Sequence, residues 1–286
     1  MSITTGTEED RARREYWAEQ MQAGYDLIQV ILAYDNVVEC GEGFASLVDA
    51  AEEAKVEMLF SDTKIAGDLE RVFFMRESLV NEVVTIAREM NERGWILKIE
   101  DGFRSKQMQS QLVRKPEVFD SILQKCIWET GGELPSTEMF FQRAIVMIAN
   151  IPKIGTHMSG SAIDVSVFNR DDGSEVSRGY PYLEVSEHTP MRSPFIDKAA
   201  LSNRLEIMGM IEAHGFVHFP YEFWHFNRDD AMGQILTGNS GPAKYGPVHW
   251  DPDSNSVKPY QDPLSPLNPL DQIEKEIAAA LERAPA

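Results

Sequence analysis

Cysteine is nearly missing from this chain. Cys40 and Cys126 are its two thiols, too few for a disulfide framework, and neither lies in a Cys-x-x-Cys pair that would suggest a metal or redox site. Two ordinary buried thiols are the expectation. Positive charge is also short: 27 lysines and arginines face 46 aspartates and glutamates, for a net charge of −19. That sign repels phosphate backbones and anionic lipid surfaces, so neither nucleic acid nor a membrane is an expected partner. No stretch approaches the roughly 20 apolar residues of a membrane helix. Nor does the N-terminus show a basic start followed by an apolar run; Glu8, Glu9 and Asp10 stand where that run would be. The chain as it stands is therefore expected in the cytoplasm. Internal repeats and low-complexity tracts are lacking too. What is present, 43% hydrophobic residues with 26% charged, suits a folded chain with a real core rather than a disordered one.

Helical periodicity dominates the first half. Residues 1–9 read as disordered, and Ala12 to about Leu32 follows a helical pattern through Tyr16, Met21, Leu27 and Ile31. A second helix fits about 45–57. A third runs from Glu77 to Arg93 with Leu79, Val83, Ile86 and Met90 on one stripe, and Gly94 supplies the left-handed residue that commonly ends a helix. Trp95 to Ile99 reads as a strand and Asp101-Gly102 as a turn. Helices follow at about 105–115, capped by Ser105 and stopped by Pro116, then at 117–129 and 136–149. Beyond them the texture changes. Ser161 to Phe168 reads as a β-branched strand with Tyr180 to Val185 as its expected partner. A helix fits Asp197 to His214, and two short strands, Phe216–Phe219 and Phe223–Phe226, flank Pro220. Residues 238–268, rich in Pro, Gly, Asn and Asp, read as an extended surface segment before a final helix at 269–284. Helices first and short strands later, with little β-α-β alternation, predict an α+β fold with a mostly antiparallel sheet. The expected organisation is an N-terminal helical extension (1–75), a core (76–237) and a tail with a C-terminal helix (238–286). The terminal segments are candidates for contacts in a homo-oligomer.

Two of the six histidines keep unusual company. His157 sits in a Gly/Ser loop upstream of Asp164, an aspartate inside the apolar strand SAIDVSV. A carboxylate buried there is costly unless it is paired or binds a metal. Alternation puts Ile163, Val165 and Val167 on one face, and Ala162, Asp164 and Ser166 on the other, a small-residue face with room for an ion. Gly160 and Ser161 let the chain bend so that His157 reaches the same point. In the second segment Glu222 precedes His225 by three residues, so both reach one point only where the backbone is bent or helical, and Pro220 marks such an irregular entry. Two histidines and one carboxylate leave zinc an open fourth position, as catalytic sites do; the same set could hold iron(II). Taken alone, His-x6-Asp and Glu-x-x-His each arise by chance, and Arg104 reads as a surface salt bridge. Spacing by itself leaves a metal site and an ordinary surface equally open.

The segments His157-Met-Ser-Gly160-Ser-Ala162-Ile-Asp164 and Glu222-Phe-Trp224-His225 resemble the two signatures of the D-alanyl-D-alanine dipeptidase and carboxypeptidase family of zinc metallopeptidases. Asp101-Gly-Phe-Arg104 resembles the family's arginine segment. The resemblance runs from about Leu79 to Phe226, about half of the chain, and is strongest to the dipeptidase branch. It implies a hedgehog/DD-peptidase-like α+β fold, with helices packed on one side of a small sheet. It implies one zinc ion per chain held by His157, Asp164 and His225, with Glu222 as general base and then acid, and Arg104 stabilising the oxyanion. The implied substrate is a small peptide, D-Ala-D-Ala-like or derived from the cell wall. There are two departures from the family pattern. Gly155 stands where the family usually carries a serine, leaving Thr156 as a substitute hydroxyl. The aspartate-methionine-glycine segment that binds the substrate amine is replaced by Leu183-Glu-Val-Ser-Glu187, which makes Glu184 and then Glu187 the candidate ammonium partners. Thr156 and Ser161 complete the expected substrate contacts. A carboxypeptidase or endopeptidase acting on longer peptides, a non-catalytic zinc-containing binding protein of the same fold and an iron(II) oxygenase stay open as alternatives. Of the other histidines, His188 is expected near the site, His214 at a helix end and His218 in a structural role, while His249 is assigned nothing.

Overall fold

The computed structural model describes residues 7–283, so the disorder expected over residues 1–6 and the last residue of the expected C-terminal helix lie outside it. Residues 7–9 are ordered: Thr7 Oγ1 accepts the Asp10 N–H at 3.1 Å and opens helix α1 (Glu8–Ala33). Three acidic residues in its first turn suit the positive end of the helix dipole. Then come β1 (Phe44–Ser46), α2 (Leu47–Ala54), β2 (Met58–Phe60), β3 (Phe74–Arg76), α3 (Glu77–Glu92) and β4 (Trp95–Asp101). Helices α4 (Lys106–Val113), α5 (Pro116–Glu129) and α6 (Thr137–Ile148) follow. Ser105 and Ser136 cap α4 and α6, while Pro116 takes the first position of α5, where its missing N–H costs nothing. The remaining elements are β5 (Ala162–Asn169), α7 (Lys198–Glu212), β6 (Val217–His218), β7 (His225–Asn227), α8 (Ala231–Thr237), β8 (Val248–Asp251), β9 (Ser256–Pro259) and α9 (Leu270–Arg283). None of the described helices is long and apolar enough to cross a membrane.

The central sheet has five strands in the order β2-β4-β5-β7-β6. The fold is α+β, but the sheet is mixed, because β2 runs parallel to β4 while the other pairs are antiparallel. Met58–Phe60 is too short to announce itself beside a helical pattern, and α3 supplies the crossover that parallel pairing needs. One sheet face carries Leu97, Ile99, Ile163, Val165, Val167 and Phe226 into a core shared with Val83, Ile86 and Met90 of α3 and Ile207 and Ile211 of α7. A second core joins Trp17 and Ile28 of α1 to Phe119 and Ile122 of α5, Phe140 of α6 and Ile277 of α9. This helical layer faces the other side of the sheet across the cavity described below, so helices flank both faces and not one. The stripe Trp17, Met21, Ile28 and Ile31 has to be covered, and α6 covers it. Contact is close: a Cβ on Gly24 would lie 2.7 Å from Val146 Cγ1.

Three further expectations are corrected. Tyr180 to Val185 is not a strand. Both edges of β5 are already paired with β4 and β7, Pro181 has no N–H to give, and Leu183 adopts a left-handed backbone (φ 66°). The tail is more than an extended surface segment. It forms the β8–β9 hairpin, buries Ala243, Tyr245, Val248 and Asn268, and locks Asn268 to Asn150 through an Asn150 Nδ2–H donated to Asn268 O (2.7 Å) and an Asn268 N–H donated to Asn150 Oδ1 (3.0 Å). Of the two thiols, Cys126 is buried, which pushes it up to about 12, but Cys40 is exposed.

Arg76 ties these peripheral segments to the loop that carries His157. It is fully buried, donating to Ser159 O (2.6 Å), Glu42 O (2.6 Å) and both Glu39 carboxylate oxygens (3.0 and 2.9 Å), between the rings of Phe44 and Tyr245. Removing one partner of such a pair leaves an uncompensated charge. Arg76→Met is expected to lower unfolding free energy by about 3–5 kcal/mol, read by denaturant titration; an unchanged midpoint would remove Arg76 from this role.

Candidate active site

Strand register sets three polar side chains in a row. Asp101 of β4 pairs with Asp164 of β5, and Asp164 pairs with His225 of β7. Ile99 pairs with Val165, and a register shift between Ile99 and Asp101 then brings Asp101 opposite Asp164. Alternation along β5 sends Ile163, Val165 and Val167 into the core and leaves Asp164 on the opposite face with Ala162 and Ser166. His157 arrives from a single helical turn, Thr156–Ser159, that ends at Gly160 with φ 69°. A Cβ at Gly160 would sit 2.1 Å from Phe44 Cε1, so both the backbone and the space require glycine. Glu222 comes from the turn between β6 and β7, where the His225 N–H bonds Glu222 O at 3.3 Å. The bent backbone lets residues three apart face one point.

One ligand atom from each of His157, Asp164 and His225 lies within 4.8 Å of the others, and all three residues are buried. His157 Nδ1 is 2.7 Å from Gly102 O, which can only accept, so Nδ1 carries the proton. In a neutral ring, Nε2 then turns a lone pair toward Asp164 Oδ1 at 3.2 Å. Asp164 Oδ1 also meets His225 Nδ1 at 2.9 Å, and His225 Nε2 meets Thr156 Oγ1 at 2.9 Å. Burial depresses His225 against the pull of Asp164 and keeps that imidazole neutral. Two imidazole rings converging on one buried carboxylate oxygen fit a divalent cation of the nitrogen- and oxygen-liganded kind. A histidine whose second nitrogen donates to a backbone carbonyl is the usual support for such a ligand.

Asp164 is anchored on its other oxygen as well. Arg104 Nη2–H donates to Oδ2 at 3.1 Å and the Tyr182 hydroxyl at 2.9 Å. Burial would raise this carboxyl, but the two histidines hold it well below the usual carboxylate range. Arg104 is itself fixed by Asp101 (Nε, 2.7 Å) and Gln109 (Nη1, 3.3 Å), and Asp101 also meets Arg71 at 2.9 Å. Glu222 Oε2 stands 3.9 Å from His225 Nδ1. Burial and the nearby Asp164 charge push its carboxyl well above the usual range, against Arg104. Arg104, Thr156, His157, Asp164, Glu222, Trp224 and His225 all line one cavity of about 290 Å³.

The model of the peptidase family described as D-Ala-D-Ala dipeptidase matches residues 60–239, more than half of the chain. The chain belongs to that family of zinc metallopeptidases. It is similar to a D-alanyl-D-alanine dipeptidase of Enterococcus faecalis, 29% identical over 75 residues, which is 26% of this chain and 37% of that one. The chain therefore spans little more than a third of that relative's length. A solved LdcB LD-carboxypeptidase is similar at 16% identity and a TM-score of 0.35, covering 66% of this chain and 72% of that chain.

The remaining candidates fall on different sides of this D-Ala-D-Ala dipeptidase family site. Glu184 lines the cavity, as do Leu183 and Val185. Glu187 does not: it is buried between Arg13 and Lys125, with Lys125 Nζ at 2.5 Å, and joins α1 to α5. Ser161 lies under the site and not in the cavity, donating to Asp230 Oδ2 at 2.6 Å. His188 stacks on Tyr180 and bonds Ser186 beside the Glu187 cluster. His214 pairs with Glu82 and Glu89, and His218 with Glu212. Sequence reading missed Tyr182, Gln109 and the structural part of Asp101. The first two carried no local signal, since their value comes from contacts with residues 18 and 5 positions away.

Proposed function

We propose that this chain is a metal-dependent peptidase acting on a small peptide, with one zinc ion held by His157, Asp164 and His225. The carrying observation is the convergence of these three side chains in the wall of a cavity that also holds Glu222 and Arg104. Zinc bound there supplies a Lewis acid and brings the pKa of its water to about 7. Glu222, with its raised proton affinity, takes a proton from the attacking water and delivers it to the leaving amine. Arg104 keeps N–H groups on Nη1 and Nη2 beyond those used by Gln109 and Asp164, and these serve the oxyanion. Glu184 provides a carboxylate for the substrate ammonium, and Lys115, also in the cavity wall, a cation for the substrate carboxylate. Thr156 orients His225. A cell-wall-derived dipeptide of the D-Ala-D-Ala kind fits this set of charges.

A hydrolysis screen over L,L, L,D and D,D dipeptides, with and without chelator, tests the reading. Release of free amino acid from dipeptides, abolished by chelator and restored by zinc, is expected. Hydrolysis unaffected by chelator, or no hydrolysis of any peptide by the zinc-loaded chain, would overturn it.

A further inference from the structure

The cavity is larger and more apolar than alanine side chains require. Its volume of about 290 Å³ is shared between the catalytic groups and an apolar end, and an apolar space of about 150 Å³, roughly half of that, already takes up benzene. Away from the polar groups its wall is made by Ile28 of α1, Leu112 of α4, Ile122 of α5, Ile145 of α6, Met232 of α8 and Phe219, which follows β6. Protein interiors leave few voids larger than a water molecule. The surrounding helices otherwise obey that rule: the tilted rings of Phe119 and Phe140 have centroids 4.4 Å apart and α1 touches α6 through Gly24. The space is therefore a shaped feature of a tight helical layer. It opens between exposed Glu117 and Ser121 of α5 and the Leu183 loop. Leu183 keeps its side chain at that mouth, 42% exposed, on a left-handed backbone that costs a leucine energy.

We propose that the apolar end of this cavity is a subsite for one large apolar side chain of the substrate, of leucine or phenylalanine size, next to the scissile bond. The proposal rests on the peptidase reading above and narrows its substrate: the terminal charges of a D-Ala-D-Ala-like dipeptide are kept, and one of the two side chains is large and apolar. The side chain would lie among Ile122, Ile145 and Met232 while the peptide backbone meets Glu222 and Glu184. Its wall includes Ile28, from a helix outside the matched residues 60–239, so α1 would contribute to specificity beside the family segment.

The test uses the zinc-loaded full chain and dipeptides pairing alanine with alanine, leucine or phenylalanine, in both orders and stereochemistries. In an apolar pocket one methylene is worth about 10–200-fold. The best leucine or phenylalanine peptide is expected to exceed the best Ala-Ala by at least 10-fold in kcat/KM. Ile122→Phe, and separately Val118→Phe at a more exposed point of the same cavity wall, fill the space, and either should remove that preference. Binding is measured by calorimetry on the Glu222→Gln chain, where the leucine or phenylalanine peptide should bind at least 10-fold more tightly than Ala-Ala. If no peptide is cleaved, the peptidase reading falls while calorimetry still decides the subsite. Equal affinity for Ala-Ala and the larger peptides, or a preference untouched in both filled variants, would overturn the proposal.

Discussion

Glu222→Gln is expected to lower kcat by about 10²–10⁴-fold, the range of a general acid–base residue, with the zinc content unchanged. The carboxamide keeps the shape of the side chain but cannot take a proton. Glu222 lies outside the group His157, Asp164 and His225, so the metal ligands stay intact. The same substitution should act oppositely on stability. Burial and the Asp164 charge raise the Glu222 carboxyl above 4.5 in the folded chain, so the folded form binds a proton that the unfolded form has lost. Metal-free native chain should therefore lose stability as pH rises from about 4.5 through the folded value, and the Gln variant should lack that loss. A variant with native kcat would end the role of Glu222 as base. A variant that loses zinc would show that Glu222 supports the metal instead.

Arg104→Met is expected to damage both fold and rate. Arg104 is buried and donates to two buried carboxylates, Asp101 at 2.7 Å and Asp164 at 3.1 Å. Removing the shared cation from such a pair costs about 3–5 kcal/mol, partly offset at Asp101 by Arg71. If its remaining N–H groups also face the oxyanion, kcat falls by a further 10²–10³-fold or so. Arg104→Lys separates the two effects. A lysine restores the charge but not the planar fork that spans Asp101, Asp164 and Gln109. Its stability should recover more than its kcat. Equal recovery of both would reduce Arg104 to a structural ion pair.

How much of this was legible depended on how local each signal was. The stripe of α3, the serine caps of α4 and α6 and the alternation of β5 are written within single segments, and the folded chain follows them closely. His157, Asp164, Glu222 and His225 stood out because histidines and acids are rare among glycines, aromatics and β-branched residues. What places them together was not legible. The register shift at the end of β4, the close packing of Gly160 on Phe44 and the Tyr182 hydroxyl on Asp164 are pairings between distant segments. Glu187 shows the opposite error. Its carboxylate looked available for a substrate amine, but Arg13 and Lys125 meet it first. The parallel strand β2 was hidden by its length of three residues.

The most direct test is calorimetric titration of the metal-free chain with zinc, run beside the His157→Ala, His225→Ala double variant. One equivalent bound per native chain and no binding by the double variant is the expected result. Native-like binding by the double variant, or no zinc bound by the native chain, would contradict the site.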